Sequence, residues 1–276
     1  MLNNIRRLLR MPRLERKAAI RRVLQRTAGR VVFGWLRALI NRPRSLFVLS
    51  YRPDADFVFR TLPKAALLRR YWIEGNASNN LGDGSRLYAL VLNVMQISHD
   101  RVSGDFAELG VYKGNSARVL CHFAEQEHRR VFLFDTFSGF DERDLKGVDN
   151  ARRRQFYDNS LEAVKAFVQS PQAIFVAGRF PESITSEAAQ ANYALVHIDC
   201  DLYEPAKAAL EFFYPRLVAG GLLIMHDYSS RIWDGIRHAV DDFVATIPEQ
   251  IVLWPDKSGT AVVRKNRGPT PREERR

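Results

Sequence analysis

The stretch Asp105-Phe106-Ala107-Glu108-Leu109-Gly110-Val111-Tyr112-Lys113-Gly114-Asn115-Ser116-Ala117 constrains this chain more than any other. A short apolar strand, carrying an acid near its end, runs into two glycines four residues apart, and a helix begins directly after them. Such a junction belongs to an open α/β sheet, where ligands sit beyond the carboxyl ends of the strands. Gly110 permits a sharp turn, and Gly114 permits backbone to approach a ligand without a Cβ in the way. Asn115 or Ser116 is placed to cap the helix, expected over about 117–128.

The rest of the chain repeats the alternation. A helix is expected over Ser85 to Ile97, with Leu87, Leu90, Val91, Val94 and Met95 on one face. Strands are expected at Phe106–Leu109, Val131–Phe134, Ala173–Val176, Ala194–Ile198 and Leu222–Met225, with helical patterns near 117–128, 160–169, 182–191, 204–214 and 232–246. Short, nearly continuous apolar strands separated by helices indicate a parallel sheet covered on both faces. Ile251–Trp254 and Thr260–Val263, joined by Pro255-Asp256-Lys257-Ser258-Gly259, read as a closing antiparallel hairpin.

Acids stand at the strand ends. Val131-Phe132-Leu133-Phe134 ends on Asp135, twenty-five residues after Gly110, where a carboxylate can accept both hydroxyls of a ribose. The spacing Glu108-x-Gly-x-x-x-Gly is not the G-x-G-x-x-G of a dinucleotide fingerprint, so a nicotinamide oxidoreductase is disfavoured. Asp199 closes another strand, and His226 with Asp227 closes the next. Adjacent parallel strands present their ends on one edge, so these three should converge near the glycine turn. Carboxylate oxygens with water suit Mg²⁺. His226 is less usual for that ion, and its ordinary pKa of about 6.5 suits a general base.

Together these segments carry a resemblance. Glu108-Leu-Gly-Val-Tyr-Lys-Gly, Phe134-Asp-Thr-Phe-Ser-Gly-Phe140, Gly178-Arg-Phe-Pro, Ile198-Asp-Cys-Asp-Leu-Tyr-Glu204 and Gly220-Gly-Leu-Leu-Ile-Met-His-Asp-Tyr228 occur in one order, and over roughly 80–250 the chain resembles the macrocin O-methyltransferase family. That resemblance implies a class I methyltransferase: a Rossmann-like, mostly parallel α/β sheet of seven strands with a terminal antiparallel hairpin, here with an N-terminal helical extension. It implies S-adenosylmethionine (SAM) as methyl donor and a hydroxyl of a sugar, glycan or glycosylated natural product as acceptor. By the same resemblance Glu108, Gly110 and Gly114 line the methionine end, Asp135 binds the ribose, and Gly178 with Arg179 lies near the adenine. Family metal positions fall on Asp199, His226 and Asp227. In-line methyl transfer to a hydroxyl also needs a group to remove its proton, and Asp199 or His226 is expected to act as that base. Where the family commonly has paired aspartates this chain has His226-Asp227, a departure that bears directly on Mg²⁺. Tyr203, Glu204 and Tyr228 are near enough in sequence to line the acceptor pocket.

Charge divides the chain. The net charge is +11, yet residues 1–50 hold thirteen Lys/Arg against the single acid Glu15, so the centre is mildly acidic. A long nucleic acid would ask for a basic footprint across the domain face, which this centre lacks. The expected organisation is a basic amphipathic helical extension with connector over 1–80, the methyltransferase domain over 81–266 and a disordered basic tail over 267–276. Ile20, Val23, Leu24, Val31, Trp35 and Leu39 recur at helical spacing opposite arginines. Such a helix can lie on an anionic membrane surface, pack on a second subunit, or cover the domain. No secretory leader is apparent, and Cys121 and Cys200 suit a reducing compartment, so the expected location is cytoplasmic or peripheral to the inner face of the membrane. The alternative to a sugar methyltransferase is a non-catalytic or nucleic-acid-directed protein of the same fold, docked through its basic N-terminus.

Overall fold

The computed structural model describes residues 64–152, 155–230 and 232–266. The readings of residues 1–40 and of the tail 267–276 lie outside the described residues. Residues 65–80, read from sequence as connector, form two helices, α1 (Ala65–Ile73) and α2 (Ala77–Asn80), and α3 follows over Gly84–His99. Asp83 caps α3 by accepting the Arg86 amide, satisfying one of the unpaired donors of the first turn.

From there strands and helices alternate as β1 (Asp105–Leu109), α4 (Asn115–Glu127), β2 (Val131–Asp135), α5 (Leu161–Val168), β3 (Ala173–Ala177), α6 (Ser186–Gln190), β4 (Tyr193–Ile198), α7 (Tyr203–Arg216), β5 (Leu217–Met225), α8 (Asp234–Val244), β6 (Val252–Trp254) and β7 (Thr260–Arg264). The sheet order is β3-β2-β1-β4-β5-β7-β6. Pairings from β3 through β5 are parallel, and β7 runs antiparallel to both β5 and β6. The order reverses direction between β1 and β4, so the crevice that opens there is the topological switch point of the sheet.

Every residue of β4 is buried, as expected of a central strand with helices on both faces. Phe132, Phe134, Tyr193 and Phe213 form a buried aromatic cluster in the core, with Phe134 edge-on to Phe213 at 5.7 Å and Tyr193 edge-on to Phe213 at 5.0 Å. Truncating one such ring to alanine costs about 3–5 kcal/mol.

Three local readings differ from the structure. Gly114 itself stands at the N-cap of α4 with φ 85°, while Asn115 lies inside the helix and donates its amide to the carbonyls of Tyr71 and Glu74. The Oδ1 of Asn115, the atom that would cap, has no hydrogen-bond partner. β5 starts five residues before the apolar run that announced it, because Leu217 pairs with Tyr193 of β4 and Gly220 and Gly221 bond to the backbone of Lys265, just past β7. The helix expected over 182–191 shrinks to Ser186–Gln190, since Thr185 caps it by accepting the Ala188 amide. No helix among the described residues is long and apolar enough to cross a membrane.

Candidate active site

Register brings the strand ends together. Leu109 of β1 lies beside Ile198 of β4, and Ile198 beside Met225 of β5. The next residue on each strand is therefore at one edge. The Asp199 amide donates to Leu109 O at 2.8 Å, and the His226 amide to Ile198 O at 2.9 Å. At Gly110, with φ 89°, an added Cβ would lie 2.1 Å from the Asp199 carbonyl oxygen, so only glycine lets the turn pass this close to β4.

A cavity of about 340 Å³ opens along this edge. One half is walled by Gly110, Tyr112, Asp135, Gly139, Gly178 and Arg179, the other by Arg86, Asp199, Asp201, His226, Asp227 and Ser230. Phe140, Phe156 and Trp233 stand at its side in a mutual cluster, with centroids 5.2 to 6.0 Å apart.

On the first half, Asp135 laces the loops. Its Oδ2 accepts the amides of Val111 (2.7 Å) and Tyr112 (2.9 Å), and its Oδ1 that of Phe137 (2.7 Å). Burial pushes its carboxyl up, against the pull of those amides. These amides take three of the roughly four lone-pair sites of the carboxylate, leaving acceptor capacity on Oδ1. Arg179 binds Asp144 through Nε at 3.0 Å and also pairs with Glu182, so its fork is fixed across the cavity mouth.

Two residues expected at the methionine end do not line the cavity. Glu108 is wholly buried in the sheet, its Oε1 2.7 Å from His197 Nδ1 and its Oε2 without a partner. The space beyond Gly114 is filled by the side chains of Val164 and Val168 on α5, so this glycine serves helix packing. Tyr203, Glu204 and Tyr228 also stay out of the lining, bonded to Asp242, Lys146 and Asp241 respectively.

The second half is a charged network. His226 Nδ1 lies 2.8 Å from Asp199 Oδ1 and 2.8 Å from Asp227 Oδ2. His226 Nε2 is buried and has no partner. The other oxygen of Asp199 is ion-paired with Arg86. Burial would raise the Asp199 carboxyl, but Arg86 and His226 hold it well below the usual carboxylate range. Burial and Arg86 act to lower the His226 pKa, yet Asp199 and Asp227 outweigh them and bring it up to about 9. Asp201 is pushed well above the usual range by burial and by the neighbouring charges of Asp227 and Asp199. Asp201 and Asp227 both adopt left-handed backbone conformations, with φ 63° and 61°. Such turns cost about 1–3 kcal/mol for non-glycine residues and are typical of functional sites.

Asp199, His226 and Asp227 each offer a ligand atom within 4.8 Å of the others, the juxtaposition a cation site requires. Their chemistry, however, does not fit Mg²⁺. That ion takes oxygen ligands in near-octahedral array, while the nitrogen facing the two carboxylates is already spent as a donor between them. Arg86 holds the remaining Asp199 oxygen and cannot shed its charge. Mg²⁺ would have to displace both partners.

Arg86 and Asp201, both on the cavity wall, escaped the sequence reading. One signal for Arg86 was present: it sits in line with Leu90, Val94 and Ile97 on the buried stripe of α3, a charge where the pattern asks for an apolar side chain.

Comparison with known proteins agrees with this architecture. The chain is 32% identical over 217 residues to the 8-demethyl-8-(2,3-dimethoxy-alpha-L-rhamnosyl)-tetracenomycin-C 4'-O-methyltransferase of Streptomyces olivaceus, covering 74% of this chain and 78% of that protein. It is 27% identical over 242 residues to the mycinamicin III 3''-O-methyltransferase of Micromonospora griseorubida, covering 78% and 94%. Among solved structures the O-methyltransferase NovP superposes with a TM-score of 0.58 at 23% identity, covering 66% of this chain and 80% of that one, a likeness of fold. The family model for macrocin O-methyltransferase (TylF) matches residues 76–253. The chain therefore belongs to the macrocin O-methyltransferase family and is a SAM-dependent O-methyltransferase.

Proposed function

We propose that this enzyme methylates a hydroxyl of a sugar carried by a glycosylated natural product, with His226 as the general base. The observation that carries the reading is the setting of His226, a residue of the cavity wall, whose Nδ1 is held by two carboxylates while its Nε2 has no partner. Nδ1 points at two carboxylates that keep its proton in place, so the lone pair of the neutral ring falls on Nε2. This is the logic by which a carboxylate fixes the tautomer of a catalytic imidazole. The relatives bearing on the acceptor are named for a rhamnosyl tetracenomycin and for mycinamicin III.

The reaction is an in-line displacement. The acceptor oxygen attacks the sulfonium methyl, the C–S bond breaks, and its electron pair stays on sulfur as S-adenosylhomocysteine forms. The hydroxyl proton passes to His226 Nε2. SAM already carries a good leaving group, so the protein chiefly aligns the reactants and accepts the proton. Gly110, Asp135, Gly178 and Arg179 are assigned to the cofactor half, with Asp135 Oδ1 taking a ribose hydroxyl. Glu108 and Gly114 support that half from behind, Glu108 through His197 and Gly114 through α5. Asp199 and Asp227 orient His226, and no step is routed through a metal.

Incubation with methyl-labelled SAM and a panel of deoxyhexose glycosides tests the reading. Mass spectrometry should place the label on a sugar oxygen. Tight SAM binding with transfer to RNA or DNA alone, or to nothing, would overturn the acceptor assignment.

A further inference from the structure

Arg86 is the most heavily enclosed arginine described in the chain, 9% exposed, and it comes from α3, which carries none of the residues assigned above. Removing a guanidinium from water costs several kcal/mol unless it is closely paired. Here its partner is Asp199, 113 residues away, and Nε remains without one. An apolar side chain would continue the stripe of Leu90, Val94 and Ile97 at lower cost, so stability alone does not account for this arginine.

Its surroundings hold it in one place. The guanidinium lies over the Trp72 ring, 5.5 Å from the centroid. Trp72 is itself pinned, donating from Nε1 to Asn80 O (3.1 Å) and accepting from Asn80 Nδ2 at its own carbonyl (2.8 Å). Asp83 Oδ1 accepts the amide of Arg86 at 3.3 Å and that of Lys257 at 3.3 Å, which joins the start of α3 to the β6–β7 turn. Trp72 precedes the residues matched by the family model, which begin at 76.

We propose that Arg86, seated on Trp72, is a positioning residue for methyl transfer: it fixes the Asp199 carboxylate, and through it the ring of His226. The chain of contacts is continuous, from Trp72 to Arg86 to Asp199 to His226 Nδ1. Arg86 is bonded to Asp199 and makes no bond to His226 Nε2, which has no partner. With it in place, Asp199 has one oxygen committed to the guanidinium and presents the other to the imidazole. Without it the carboxylate can rotate, and the Nε2 lone pair loses its aim. A displacement on the order of 1 Å at a reacting group costs about 100-fold in rate.

This inference rests on the reading of His226 as base, and the experiment separates the two. Arg86→Met and Arg86→Lys are compared with the wild-type enzyme by SAM affinity, by kcat and KM, and by the ring-nitrogen NMR signals of ¹⁵N-labelled histidine without any acceptor. Arg86→Met should lose about 100-fold in kcat, with SAM affinity and acceptor KM within about 2-fold. Its His226 Nδ1–H signal should broaden or move. Arg86→Lys keeps a charge that reaches Asp199 and should recover most of both. Unchanged His226 signals in Arg86→Met overturn the positioning role whatever the acceptor proves to be. A kcat that falls equally in both variants with intact ring signals also overturns it. Should Arg86→Met not fold, Arg86→Gln takes its place, with the same expected loss and the same overturning result. Inactivity of the wild type toward every glycoside would count against the acceptor reading and leave the NMR comparison standing.

Discussion

The two halves of the cavity are built in opposite ways. The cofactor half is a set of tight turns tied by main-chain amides to one carboxylate, Asp135, and its bonded partners lie within a single β1–α4–β2 unit. The catalytic half is held by side chains from α3, β4 and β5, crossing 113 residues between Arg86 and Asp199 and 27 between Asp199 and His226. The first half presents neutral, preformed backbone to a ligand of fixed shape. The second concentrates charge where a proton has to move, in a low-dielectric site where each charge matters more. Substitutions should therefore damage binding on one side and chemistry on the other.

The largest effect is expected on the catalytic side. His226→Asn should reduce kcat by about 10²–10⁴-fold, the range for loss of a general base. Calorimetry should find its SAM affinity within about 2-fold of wild type. A loss of SAM binding in this variant would mean the halves are not separable. Asp135→Ala is the converse case. Removing the acceptor of three amides and the assigned ribose contact should weaken SAM binding by about 100-fold, at roughly 1.5–3 kcal/mol for each charge-assisted bond lost. Retained affinity would remove Asp135 from the cofactor site.

The pH dependence should belong to the catalytic half alone. In the folded enzyme His226 holds its proton up to about pH 9, so the neutral ring becomes more abundant as pH rises toward that value. Below it, kcat/KM should climb close to tenfold per pH unit and then level, while SAM affinity stays flat over that limb. The linked effect on stability has the opposite slope. Because the folded pKa lies above the ordinary 6.5, the contribution is complete below pH 6.5 and is lost as pH rises through about 9. Thermal melts across that window would show it. The smallest effect is expected from chelation: EDTA-treated enzyme should keep its rate within about 2-fold, since Arg86 and the Nδ1 proton of His226 occupy the carboxylate atoms Mg²⁺ would need. A rate restored only by added Mg²⁺ would reverse that assignment.

The legibility of the site in sequence follows the same division. Strand ends were visible because two apolar runs stop directly on an acid, Asp135 and Asp199, and a third stops on His226-Asp227. The register that aligns Leu109, Ile198 and Met225 follows from parallel strands buried on both faces. Glu108 and Gly114 were harder. An acid before a glycine turn reads alike whether it faces a ligand or, as Glu108 does, a buried histidine on the neighbouring strand. Likewise a glycine at φ 85° reads alike whether a ligand or the valines of α5 fill the space beyond it.

By itself the sequence determined the order of strands and helices, the glycine turn after β1 and the acids at the sheet edge. All of these are set by short-range periodicity and by residue types with narrow conformational preferences. Only the tertiary structure decided which of those acids reach the cavity, that His226 turns Nδ1 toward two carboxylates and leaves Nε2 unpaired, and that an arginine from α3 completes the network. Those choices depend on which side chains meet after distant segments pack, and a buried charge finds its partner only when the fold has closed around both.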